Sequence, residues 1–335
     1  MTSLTSLSAL PDDFVMQPDN IGCIKVTGED RDSYLHGQLT VNINALTSDQ
    51  ARFAAHCDNK GKVWAVLEVV RHEDGVLLYG NRDAVDASFA QLQKYGVFSK
   101  VEMTEQHTAY RHIVISQNVG RAAAKTLFSD VPDASMAALS NDYGVVIQTR
   151  LEGSPLHFIV TAEGEAQLNK YLSENHDDIA SFGAPEYEAL CVVSGIPAVS
   201  GDMIGQYIPQ MLNVQAIDGI DFDKGCYMGQ EVVARTRFLG RNKRAAFSFS
   251  LPVPTSMNAG DTVEKQLGEN WRRGGNVVRY ATLADESYFM AVLANDTGSD
   301  DAHRLAELPA HEVTPLALPY SIAQENRDKP GRTGA

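Results

Sequence analysis

The sequence predicts an α+β protein: two ferredoxin-like α+β portions in succession, followed by a C-terminal antiparallel β-barrel. Three observations carry that class. The hydrophobic period switches between strand-like and helix-like in the same order twice, first before about residue 107 and again after it. From about residue 245 the chain alternates apolar and polar residues with Pro and Gly punctuation and few helical patterns, as a small barrel or sandwich does. With 335 residues and 44% hydrophobic content, the chain has material for several well-cored domains.

In the first portion "IGCIKVTG" is strand-like, "DRDSYLHGQL" forms a short helix, and "ARFAAHCD", "VWAVLEVV" and "GVLLYG" are three further strands. "DAVDASFAQLQKYG" then sets Val85, Phe89 and Leu92 on one helical face, with Asn81 or Asp83 as cap and Gly96 as stop. The second portion repeats the order with "YRHIVIS", "GRAAAKTLF", "YGVVIQTR", "LHFIVT" and the helix "EGEAQLNKYLSEN". "EYEALCVVSG" is a helix ending at Gly195, and "AAFSFSLPVP", "NVVRYATLA" and "SYFMAVLAN" supply the barrel strands. These readings divide the chain into a body over 1–240, a barrel over 241–325 and a disordered tail over 326–335.

Composition limits function. A formal charge of −15 opposes general attraction to nucleic acid or anionic membrane. No run approaches the roughly 20 apolar residues of a membrane helix, and "MTSLTSLSALPDDF" lacks the plan of a secretory signal, so the chain is expected in the cytoplasm. Cys23, Cys57, Cys191 and Cys226 are widely spaced, with no C-x-x-C, which suggests reduced thiols and no metal site.

The stretch "DFDKGCYMGQEVVAR", residues 221–235, is where chemistry concentrates. Cys226 stands between Gly225 and Gly229, two residues after Lys224 and just ahead of a helix start at "QEVVART". A positive field from an ammonium group and a helix N-terminus favours a thiolate. The competing reading is a small buried hydrophobe, the commoner fate of a free cysteine. Downstream, Arg235, Arg237, Arg241, Lys243 and Arg244 form a basic cluster in an acidic chain, suited to carboxylates or phosphates or merely solvated. Arg272 and Arg273 in "NWRRGG" fit a hairpin tip.

"KGCYMGQE" at residues 224–231 resembles the K-G-C-[FY]-x-G-Q-E signature of the YgfZ family of folate-binding, tRNA-modification and iron–sulfur-maintenance proteins, relatives of the glycine-cleavage T-protein. "TGEDRDSYLHGQLT", "AAHCDNKGKVW", "KYGVFSKV", "SGIPAV", "YIPQMLNVQAI" and "GENWRRGG" agree, so the resemblance spans nearly the whole chain. It implies a three-domain T-protein-like ring around a channel for tetrahydrofolate or a derivative. It also implies Cys226 as the essential thiol with Lys224 beside it, and folate contacts from Ile21, Tyr187, Tyr227, Gln230, Glu231, Arg235 and Arg237. Tyr187, Tyr227 and Tyr95 are the candidates to stack on a pterin, and the arginines suit a glutamate tail.

The chain departs from its relatives in ways that bear on this. Ile21 and Tyr187 stand where close relatives carry tryptophans, and Val193 where an acidic residue is common. Ala65 and Val66 occupy the place of the T-protein's catalytic aspartate. The resemblance therefore implies an accessory protein for iron–sulfur enzymes such as tRNA methylthiotransferases rather than a classical enzyme. Cys226 would hold a transient cluster or persulfide, react with a one-carbon unit, or form a mixed disulfide. The alternative is a folate-dependent aminomethyl-type transferase that recruits Glu231 or Asp223 as its base. A tRNA-binding module built on residues 235–244 is a third reading, which the net charge disfavours, so direct nucleic-acid binding is expected to be weak or absent.

Overall fold

The computed structural model describes residues 3–240 and 242–322. Arg241 and the tail expected over 326–335 lie outside the described residues. Six helices and sixteen strands form three sheets among them.

The first sheet contains β2 (Ile21–Thr27), β3 (Ala51–Cys57), β4 (Val63–His72), β5 (Gly75–Asn81) and β6 (Glu102–Glu105), in the order β3-β4-β5-β2-β6. Every pairing is antiparallel. Helix α1 (Arg31–Gln38) follows β2, and α2 (Arg82–Tyr95) follows β5. Ala84, Val85 and Leu92 of α2 are buried in one core with Ile24, Val26, Val69 and Leu78, so α2 covers one face of this sheet. Strand register sets Phe53, Glu68, Tyr79 and Cys23 in a row across it. Phe53, Tyr79 and Cys23 of that row are buried in the core shared with the second sheet.

The second sheet runs β11-β1-β7-β10-β9-β8. Its strands are β1 (Phe14–Met16), β7 (Arg111–Ile115), β8 (Ala138–Asn141), β9 (Gly144–Gln148), β10 (Leu156–Val160) and β11 (Ala180–Phe182). Helices α3 (Gln117–Phe128) and α4 (Ala162–Asn175) close one face around Ile113, Ile115, Phe158 and Val146. The opposite face, through Val114, Val145, Ile147 and Ile159, shares a core with Tyr79, Cys23 and Phe53 of the first sheet. The body is thus two sheets face to face with helices outside, as the repeated order predicts. Both outer layers exist because Ala, Val and Leu recur at helical spacing on one side of each helix.

The third sheet is antiparallel, in the order β12-β15-β14-β13-β16. Its strands are β12 (Arg244–Leu251), β13 (Thr262–Leu267), β14 (Asn270–Thr282), β15 (Ser287–Ala294) and β16 (His303–Leu305). Among the described residues no ladder joins its edges, β12 and β16, so strand pairing alone does not close the barrel there. The segment 313–316 spans the gap: Val313 exchanges backbone hydrogen bonds with His303, and the Leu316 amide donates to the Ser248 carbonyl. Helix α5 (Ala184–Val193) joins body to barrel, with Ser248 Oγ donating to the Val192 carbonyl at 2.6 Å.

Strands β1, β6, β8, β11, β13 and β16 are absent from the expectations. Five of them span only three or four residues, too short for a period to register, and one of these, β6, reads "EMTE", with no apolar alternation.

Candidate functional site

Helix α6 (Gln230–Leu239) begins where expected, and the loop ahead of it is fixed at several points. Lys224 is buried, and its Nζ donates to the carbonyls of His36 at 2.5 Å, Leu39 at 2.7 Å and Val41 at 2.8 Å. It thereby donates hydrogen bonds to the end of α1 and the residues beyond it. Burial pulls this ammonium down to about 7, with the Asp221 carboxylate opposing that pull and Arg52 adding to it. The ammonium also lies 4.9 Å from the centre of the buried Tyr227 ring. Met228 donates its amide to the Gly37 carbonyl, and Gln230 Oε1 accepts from the Tyr227 amide at 3.3 Å.

Gly229 caps α6 with φ +81°, and a Cβ there would stand 2.6 Å from the Asp58 carbonyl oxygen. Only glycine fits against the β3–β4 turn in that conformation. Cys226 projects from this pinned loop as the exposed cysteine, whereas Cys23, Cys57 and Cys191 are buried. Burial pushes the Cys23 and Cys191 thiols up to about 12 and raises that of Cys57 further. The exposure of Cys226 removes the buried-hydrophobe reading. Lys224, for its part, spends its three donors on backbone.

A second constellation lies where the first sheet, α5 and β14 meet. Ile21, Phe53, Val66, Glu68, Tyr79, Tyr187, Glu188 and Arg279 line a cavity of about 30 Å³, enough for a water-sized guest. Asn81, Glu188, Ala198 and Arg279 also line an open cleft of about 870 Å³, so these residues border both spaces. Tyr79 donates its hydroxyl to Glu68 Oε2 at 2.7 Å. Arg279, 8% exposed, donates Nε to Glu188 Oε2 at 2.6 Å and Nη1 to the Ile196 carbonyl at 3.0 Å. Its guanidinium sits 5.9 Å from the Tyr187 ring centre, and Asn20 Nδ2 donates to Glu188 Oε1 at 2.7 Å. Burial raises Glu68 to about 7, against the opposing pull of Tyr79 and Arg279.

Of the residues expected to touch folate, Ile21 and Tyr187 line this cavity. Tyr227 and Gln230 belong to the thiol loop. Arg235 faces Glu231 at 3.4 Å on the exposed side of α6, and Arg237 packs 3.9 Å from the Phe222 ring centre. Tyr95 stacks on Trp64 at the end of α2. Val193 is partly buried in the core shared by the first two sheets. Ala65 and Val66 are buried in β4. Arg244 and Arg273 line a separate cleft of about 810 Å³ beside Asp202 and Asp261.

Sequence reasoning missed Glu68, Glu188 and Arg279. A signal existed for Glu68: one carboxylate inside the apolar run "VWAVLEVV" must face something polar. Among the described residues one acidic and histidine triad gathers, Asp86, Glu105 and His107. His107 Nδ1 accepts from the Cys23 amide at 2.9 Å, which leaves Nε2 carrying the proton that faces Asp86. A nitrogen so protonated offers no lone pair to a metal.

The three sheets, with helices outside the first two and a cavity where the first sheet, α5 and β14 meet, share their fold with an aminomethyltransferase. The crystal structure of glycine cleavage system aminomethyltransferase T from Bartonella henselae matches with a TM-score of 0.69 at 13% identity, covering 92% of this chain and 86% of that one. Residues 242–307 match the model of the YgfZ β-barrel domain. The tRNA-modifying protein YgfZ of Colwellia psychrerythraea is 33% identical over 326 residues, 96% of this chain and 98% of that protein. Its namesake from Yersinia enterocolitica is 34% identical over 309 residues, 92% of each. The chain belongs to the YgfZ family.

Proposed function

We propose that this chain is a cytoplasmic, folate-linked accessory protein that supports iron–sulfur enzymes and tRNA modification, with Cys226 as its reactive thiol. The observation that carries the reading is the presentation of Cys226: an exposed sulfur on a loop held by Lys224, Met228 and Gly229, in a family named for tRNA modification. A loop so fixed holds a nucleophile still without covering it. Tetrahydrofolate suits the second constellation in chemistry, through the Tyr187 face and the carboxylates of Glu68 and Glu188. In size, the outer cleft has room for it and the inner cavity does not. The test is complementation of a deletion strain. Cys226→Ser is expected to accumulate as folded protein yet fail to restore methylthiolated tRNA and iron–sulfur enzyme activity, and full restoration would end the reading.

A second reading, a folate-dependent one-carbon transferase, draws support from Glu68. It lies two residues after Val66 on the same strand, and so on the same side of the sheet, and lines the cavity. Turnover of methylated amines that survives Cys226→Ser and disappears with Glu68→Gln would favour it.

A further inference from the structure

Arg244 and Arg273 reach one cleft of about 810 Å³ in the seam between body and barrel, from strands that do not pair with each other. Arg273 stands in β14 past the hairpin tip and beside a bulge: the β13 ladder pairs Val263 with Gly275 and Glu264 with Arg273, and skips Gly274. A bulge of this kind re-aims the side chain next to it. Arg273 Nη2 donates to Asn276 Oδ1 at 3.1 Å, and Asn276 Nδ2 donates in turn to the Gly260 carbonyl at 2.7 Å, so a side chain that is itself fixed steers the arginine. Arg244 Nη1 makes two long contacts, 3.4 Å each, with the carbonyls of Gly274 and Val292. Asp202 and Asp261 line the same cleft, yet neither guanidinium forms an ion pair among the described residues. Asp261 Oδ2 is engaged instead by the Asn258 amide at 2.8 Å. From the body comes Tyr207, buried, with a hydroxyl that makes no hydrogen bond among the described residues. Burial raises this phenol above its usual range and the charges of Arg244 and Arg273 oppose the rise, so both guanidiniums act on it.

Two guanidiniums and a phenol that approach one space from three elements suit a tetrahedral anion. A carboxylate is planar and one guanidinium fork satisfies it, whereas a phosphomonoester carries about −1.5 to −2 charge and three acceptor oxygens, which calls for more than one arginine. The chain's charge of −15 opposes a polyanion, which favours a phosphate on a small molecule over one in a nucleic-acid backbone. The remaining lining is largely polar, with Asp202, Asp261, Gln206 and Asn258, and Tyr207 is the one aromatic residue among those described there. A hydroxylated body fits such a lining, and a base that needs stacking partners does not. We propose that this cleft binds a small sugar phosphate, with Arg244, Arg273 and Tyr207 on the phosphate and Asp202 and Asp261 on the hydroxyls of the sugar. The site shares no lining residue with the cavity beside Tyr187, and it does not rest on the folate reading.

Calorimetric titration of the full chain with ribose 5-phosphate and with glucose 6-phosphate makes the test, beside ribose, inorganic phosphate and a short oligouridylate that has no terminal phosphate. At least one of the two sugar phosphates is expected to bind, about tenfold more tightly than inorganic phosphate, and ribose alone is not. Arg244→Ala and Arg273→Ala should each weaken that sugar phosphate by about tenfold or more, and Tyr207→Phe, which keeps the buried ring, by about fivefold. Arg272→Ala removes an equally exposed charge one residue away and outside the cleft lining, and should leave binding unchanged. Thermal melts of each variant confirm that a folded protein is being titrated. Failure of both sugar phosphates to bind overturns the inference, as does inorganic phosphate binding equally well. An equal loss in Arg272→Ala, or an oligouridylate that binds more tightly than either sugar phosphate, would show a diffuse basic surface and overturn it too.

Discussion

Lys224 and Leu39 are joined by a hydrogen bond of 2.7 Å from ammonium to backbone carbonyl, across 185 residues of sequence. Two more carbonyls, of His36 and Val41, share the same nitrogen, so one side chain ties the thiol loop to the end of α1. Lys224→Met would leave three carbonyls without their donor and is expected to cost about 3 kcal/mol. A urea midpoint unchanged from the parent, with no new proteolytic cutting in 222–229, would contradict it.

Cysteine labelling should be ordered by burial. With three thiols buried and raised, a mild alkylating agent at neutral pH is expected to modify Cys226 first, read by peptide mass spectrometry. Cys226→Ser should change stability by no more than about 0.5 kcal/mol, since the site is at the surface. Comparable labelling of Cys23 would refute the assignment.

The two glycines flanking the thiol should tolerate substitution unequally. At Gly229 an added Cβ meets backbone, at 2.6 Å from the Asp58 oxygen, in a left-handed conformation. At Gly225 it meets a histidine side chain, His36 Nε2, at 3.2 Å. Gly229→Ala is expected to cost about 2 kcal/mol or more, and Gly225→Ala clearly less. Equal thermal midpoints for the two variants would remove the distinction.

Glu68 gives a pH dependence of defined sign. Its folded carboxyl titrates at about 7, against an ordinary value of 4.5. Between those values the folded state keeps a proton that the unfolded state has lost. This contribution therefore lowers stability as pH rises through the window, and the loss is complete above about 7. Glu68→Gln should match the parent near pH 4.5 and exceed it at alkaline pH by roughly 2 kcal/mol, a few degrees in Tm. An advantage that does not grow with pH would show that the carboxyl is not held protonated.

The body of the fold was legible because its helices and longer strands each bury one continuous face. Val85, Phe89 and Leu92 on α2 and Leu168 and Leu172 on α4 repeat at helical spacing. The thiol loop was equally legible, since glycines, lysine and cysteine fall within six residues of sequence. The cavity was not. Glu68, Glu188 and Arg279 come from β4, α5 and β14, and although Glu68 stands out in its apolar run, nothing local says that the three meet. Only tertiary packing turns Arg279 inward to Glu188, 91 residues away. The partners of Lys224 were hidden for a related reason, because the carbonyls of His36, Leu39 and Val41 lie at and just beyond the end of a helix far earlier in the chain.

The segment 313–316, which hydrogen-bonds both β16 and β12, gives the third sheet a temporal asymmetry. During synthesis β12 emerges about 70 residues before the stretch that caps its free edge, so its N–H and C=O groups on that edge face water through most of the barrel's assembly. A nascent chain paused in that interval would present Phe247 and Phe249 on an unsealed strand, the kind of edge that recruits a neighbouring chain. For this protein the hazard of self-association belongs to biogenesis more than to the finished molecule, and it lies at the end of the chain farthest from the thiol's α1 anchor.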